Sequence, residues 1–140
     1  MSMRRAVLMT VLLVAGAGAP ACGSSDEPQT DTQQVRKVVD QFNTAFSGGD
    51  YDKACDLMHS RRRQQLEYGR GQSCADILAD AAEATAPLVK ALANARITAV
   101  AFNGNDAVVS VEGPGLGARQ AMVDRDGDRG WRLSESAAGL

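Results

Sequence analysis

The side chains able to do chemistry in this sequence are few: three cysteines, one histidine and some clustered carboxylates. Cys55 and Cys74 lie 19 residues apart. A redox pair would want C-x-x-C spacing, which is absent, so in an oxidising compartment these two read as a structural disulfide. His59 precedes the run Arg61-Arg62-Arg63. A general base needs an orienting acid, and no spacing here supplies one, so His59 reads as a helix-end residue. The three arginines read as a solvated helix face that could dock an anionic partner. Asp124, Asp126, Asp128 and Glu135 fall at positions 1, 3, 5 and 12 of a calcium loop. Arg129, however, stands where that loop requires glycine, and the flanks read as strands rather than helices. A charged hairpin turn explains the same residues. The expectation is therefore no catalytic set, no metal and no cofactor.

The third cysteine belongs to an address. Arg4 and Arg5 precede an uncharged, mostly apolar run of ten residues, Ala6 to Ala15. Ten residues are too few to cross a bilayer, which takes about 20, but suit the hydrophobic part of a signal peptide. Small residues follow and lead to Ala19-Pro20-Ala21-Cys22. The stretch resembles a bacterial lipoprotein signal, in which the cysteine after the small residues is lipidated. Ala19 and Pro20 depart from the usual lipobox, and the same residues also fit ordinary cleavage before Cys22. Cysteine arithmetic favours lipidation, because pairing Cys55 with Cys74 leaves Cys22 odd. The expected organisation is a signal peptide over 1–21, a lipidated Cys22 with a flexible tether over 22–30, a domain over 31–135 and a flexible tail over 136–140. The expected location is extracytoplasmic, on the cell membrane, or secreted if Cys22 stays free.

Charge and composition narrow the partners. The 140 residues carry 15 basic and 17 acidic side chains, without the basic excess of a nucleic-acid binder. Removing Arg4 and Arg5 with the signal leaves an acidic domain, which anionic lipid does not attract by charge. Membrane attachment would then come from the lipid on Cys22. Aromatics at 4% leave few platforms for stacking bases or sugars. Hydrophobic residues at 44% are enough for a packed core.

The elements that must position these groups change period midway. Val35, Val38, Val39, Phe42, Ala45 and Phe46 keep helical spacing and predict an amphipathic helix from about 31 to 47. Thr30 or Asp31 can cap it, and Gly48-Gly49 stops it. Asp50 can cap a short helix carrying Tyr51, Ala54, Leu57 and Met58, and Ser60 a third from Arg61 to Tyr68. Ser73, with Asp76 three residues on, can cap a longer helix that Pro87 must kink or split. From Ala95 the period falls to two. Strands are expected over Arg96 to Phe102, Ala107 to Glu112, Ala118 to Asp124 and Gly130 to Ser134, separated by Gly-rich turns. Thr98, Val100 and Phe102 should share one face of the first strand, and Trp131 and Leu133 one face of the last. Helices followed by an antiparallel sheet make an α+β domain.

This order resembles the nuclear transport factor 2-like superfamily, and within it the exported lipoproteins of actinobacteria. Phe42, Phe46, Gly49-Asp50, Ala54-Cys55, Ser73-Cys74, Asp126-Gly127-Asp128 and Trp131 carry the resemblance. It implies a cone, with helices packed on a curved four-stranded antiparallel sheet around a pocket. Enzymes of this superfamily place a carboxylate base and phenol or imidazole partners in the cone, which would point to Glu112, Tyr51 or Tyr68, and Asp56. No catalytic motif carries those roles onto these positions. The reading is a non-catalytic, lipid-anchored domain that binds a small apolar ligand or an envelope protein. The alternative is a cofactor-free isomerase, dehydratase or hydrolase acting in the cone.

Overall fold

The computed structural model describes residues 29–140. The signal segment, Cys22 and most of the tether lie outside the described residues. Among the described residues no helix is long and apolar enough to cross a membrane.

The fold is α+β: five helices followed by a four-stranded antiparallel sheet in the order β1-β2-β3-β4. Helix α1 (Asp31–Gly48) buries the six apolar residues that keep its helical period, plus Asn43. Thr30 caps it in a reciprocal box, its hydroxyl accepting the Gln33 N–H while Gln33 Oε1 accepts the Thr30 N–H at 2.9 Å. Gly49, at φ 80°, ends it by returning its N–H to the carbonyls of Ala45 and Phe46, a conformation costly for any residue with a Cβ.

Asp50 caps α2 (Tyr51–Leu57) by accepting the Lys53 N–H. Helix α3 (Ser60–Glu67) differs from expectation: its cap is His59, and Ser60 is its first residue. The imidazole takes the capping role, and the Ser60 hydroxyl donates instead to Asp126. Ser73 and Asp76 form the second reciprocal box at the start of α4 (Cys74–Ala84). The chain breaks at Thr85 and resumes as α5 (Ala86–Leu92), with Pro87 in the first turn, where its missing N–H leaves no helix bond unmade.

The strands are β1 (Arg96–Asn103), β2 (Asp106–Gly113), β3 (Gly117–Arg125) and β4 (Trp131–Glu135). Ala107, Val109, Val111, Ala121, Val123, Trp131 and Leu133 face the helices and are buried. In β1 the expected alternation fails at Thr98. A bulge there pairs Ile97 with Val111 and Ala99 with Ser110, so Thr98 has no partner. The extra residue shifts the phase and lets both Ile97 and Val100 pack on the core. A second bulge leaves Ser134 unpaired between Leu133 and Glu135 in β4. Gly113 packs closely on the preceding loop: a Cβ there would sit 3.1 Å from the Ala95 Cα, so a side chain would push that backbone back by a few tenths of an ångström.

Residues 136–140 differ from the expected flexible tail. Ser136 and Ala137 are buried, and the Ser136 hydroxyl accepts the N–H groups of Ala138 and Leu140. The apolar contacts of Ala137 and Leu140 with the core reward closing this turn.

Cys55 of α2 and Cys74 of α4 form a disulfide with Cα atoms 6.1 Å apart. Both cysteines are buried in the core, so the bond fixes two helices that each already bury an apolar face. Replacing both cysteines by serine should lower stability by about 3 kcal/mol, from the freed loop of 19 residues. Phe42→Ala, at a fully buried site stacked on Phe46, should cost about 3–5 kcal/mol through lost burial and the cavity left behind. Phe42→Ala is read as a shift in the urea unfolding midpoint at constant slope, and the cysteine variant as a lower midpoint with a steeper slope, because its unfolded chain exposes more surface.

Candidate functional site

The lone histidine sits where helices meet sheet. His59 Nδ1 accepts the Arg61 N–H at 3.1 Å, which caps α3. With Nδ1 accepting, Nε2 is left to donate to the Arg125 carbonyl oxygen, 3.3 Å away. Both ring nitrogens are thus engaged in positioning α3, and the ring also lines the cleft described below. The backbone helps: the His59 N–H donates to the Leu133 carbonyl at 2.7 Å, and Met58 bridges Leu133 in parallel sense beside β4.

Asp126 completes the junction. It accepts the Ser60 N–H at 3.0 Å, the Ser60 hydroxyl at 2.8 Å and Arg129 Nη1 at 2.8 Å. Its side chain is only 12% exposed. Burial opposes its ionisation, but the two Ser60 hydrogen bonds, with the neighbouring His59 and Arg129, outweigh burial and hold the carboxyl below its ordinary value. Arg129 Nη2 goes on to the Asp56 carbonyl at 2.7 Å, so the β3–β4 turn also grips the end of α2. At the edge of the sheet, Asp31 Oδ1 accepts both Trp131 Nε1 (3.1 Å) and Arg125 Nη2 (2.7 Å). The Arg125 guanidinium lies 4.4 Å from the centre of the Trp131 ring.

Beside this junction a cleft of about 290 Å³ separates α3 from the ends of β2, β3 and β4. Arg61 and Arg62 line it from the helix, and Asp106, Asp124 and Ser134 from the sheet. Asp106 and Asp124 are direct partners in the β2–β3 register, out of phase with the core-facing Ala107 and Val123. Like charges directly opposite one another oppose strand pairing. Among the described residues Asp126, Arg125, Arg129 and Arg63 all have ion-pair partners, whereas Arg61, Arg62, Asp106 and Asp124 have none within 4.0 Å. Three atoms of the lining residues, Arg62 Nε, Asp124 Oδ1 and Ser134 Oγ, are closed off without a hydrogen-bond partner, as is Arg132 Nε. An unsatisfied buried polar group costs about 1–3 kcal/mol. Burial, reinforced by the Arg129 charge, also lowers the pKa of Arg132, against the opposing pull of Asp126 and Asp56.

The other candidate residues do not converge. Glu112 is exposed on β2 opposite Arg96 and Ala118. Tyr51 packs edge-on against Phe46, Tyr68 is 87% exposed, and Asp56 is an exposed partner of Arg63 at 3.5 Å. Asp128 is exposed in the turn Gly127–Arg129, and Glu135 is exposed opposite Met122. Among the described residues no group of three or more His, Cys, Asp or Glu side chains could hold a metal ion. A groove of about 570 Å³ lined largely by small and aliphatic residues runs along the helices past Tyr51, Ala82, Ala86 and Val89.

Sequence reasoning reached the arginine run and the acidic turn but missed Asp106, Ser134, Arg125 and Asp31. For Asp106 a signal exists: counting back from the Gly113–Gly117 turn sets it against Asp124. The bulge at Ser134 and the reach of Asp31 to β3 and β4 leave no mark in local spacing.

Asp126→Asn should destabilise the domain at neutral pH. A carboxyl with a lowered folded pKa contributes stability above its unfolded value and loses it as pH falls through the folded one. Parent and variant should therefore differ in melting temperature at about pH 7 and converge in acid, below the ordinary 3.8 of an aspartate. A difference that stays constant down to about pH 2 would remove the charge from the explanation.

No family model matches the chain, and no match was found among curated proteins or solved structures.

Proposed function

We propose that the chain is an exported lipoprotein, held on the cell membrane by a lipid on Cys22, whose domain is a non-catalytic binding module of the nuclear transport factor 2-like type. The observation that carries this reading is the filled space between helices and sheet. Phe42, Phe46, Met58, Leu78, Leu92 and Leu133 are all fully buried there, where a catalytic cone would keep its substrate cavity. Two bulges in the sheet, at Thr98 and Ser134, are devices that bend strands and support a curved, cone-like sheet. The Cys55–Cys74 disulfide supports an oxidising compartment outside the cytoplasm.

The enzyme alternative would need a carboxylate and a phenol or imidazole facing one cavity. Glu112, Tyr51 and Tyr68 lie on separate surfaces, and both nitrogens of His59 are engaged in positioning α3. The polar cleft at α3 favours a polar ligand or partner over the apolar one anticipated from the resemblance.

Expression in an actinobacterial host tests the address. The parent should fractionate with membranes and carry added lipid mass on Cys22, and Cys22→Ala should appear in the soluble fraction. A Cys22→Ala protein that stays with the membrane, or a parent cut at Ala21 with no added mass, would overturn the lipid anchor.

A further inference from the structure

We propose that the cleft between α3 and the ends of β2, β3 and β4 binds a small amino-acid-like zwitterion, with its carboxylate on Arg61 and Arg62 and its ammonium at Asp106 and Asp124. This rests on reading the domain as a binding module and names what that module takes.

The unpaired charges on the two walls are of opposite sign, Arg61 and Arg62 facing Asp106 and Asp124 with no ion pair between them. Arg125, which also lines the sheet side, is neutralised by Asp31, and His59 closes one end. The two walls are held apart by the fold. Asp106 and Asp124 are fixed in paired strands, while α3 is pinned at its start by His59 and by the Ser60–Asp126 bonds. Preorganisation of this kind lets a ligand bind without first ordering its site. A simple anion would satisfy the arginines and leave two carboxylates facing each other. A simple cation would relieve the carboxylates and leave the arginines. Only a ligand with both charges, close together, answers both walls. Ser134 is delivered by a bulge, a device that re-aims side chains beside binding sites. The volume of about 290 Å³ lies at the small end of ligand pockets and sets the size class.

Calorimetric titration of the mature full-length chain, in detergent micelles if lipidated, provides the test. The probes are glycine and its two halves, acetate and methylammonium. Glycine should bind roughly tenfold or more tightly than either half. Asp124→Asn should weaken glycine by roughly tenfold or more and leave acetate binding no weaker, whereas Arg62→Gln should weaken both. Asp124→Asn removes one of two facing carboxylates, so it should fold with a melting temperature at or above the parent's. Loss of glycine binding from a protein no less stable is a result that a purely structural Asp124 would not give. No binding of glycine, acetate binding as tightly as glycine, or glycine binding untouched by both variants would each overturn the proposal. Consumption of glycine, followed by proton NMR, would support the site while overturning the non-catalytic reading of the domain.

Discussion

Burial of one stripe of α1 against the inner face of the sheet is the interaction on which the remaining contacts depend. Val35, Val39, Phe42 and Phe46 are shut off from water completely, and they meet Val109, Val111, Val123 and Leu133 in a single core. A full side chain of this kind contributes about 1.5–3 kcal/mol on leaving water, so the stripe outweighs any single polar contact in the domain. Its two ends are then fixed by polar means. Gly49 turns the chain into α2, and at the other end Asp31 holds Trp131 and Arg125. Trp131 can lie in the core because its N–H finds Asp31, and the Arg125 charge is neutralised by the same carboxylate.

A second, smaller constraint shapes the polar cleft. Helix α3 contributes one buried apolar residue, Leu66, and is otherwise polar. A helix so poor in apolar contacts needs specific bonds to hold its place. His59, Ser60, Asp126 and Arg129 supply them and tether α3 to the β3–β4 turn. That tether sets the distance between the arginines of α3 and the aspartates of the sheet. The polar junction and the cleft beside it are consequences of one placement, so a change at Asp126 should propagate to the cleft although Asp126 does not line it.

The disulfide acts on a different part of the molecule. It joins α2 to α4 through residues already in the core, away from the cleft walls. It therefore stabilises the helical layer as a whole, and the cleft geometry rests on the hydrogen-bonded junction instead.

Local spacing determined much of this protein without help from tertiary contacts. The helix starts at Thr30, Asp50 and Ser73, the break before Pro87, the four strands and the Cys55–Cys74 pair all follow from short-range capping, period and cysteine count. Those signals act within a few residues, so a linear reading reaches them. What only the tertiary structure decided is long-range. The bulges at Thr98 and Ser134 depend on matching two strands to one core. The cap of α3 fell to His59 because Ser60 was claimed by Asp126, 66 residues away. The tail closed over Ser136 because Ala137 and Leu140 found apolar neighbours. The facing of Arg61 and Arg62 toward Asp106 and Asp124 joins segments that share no local pattern, and it exists only once α3 has been pinned to the sheet.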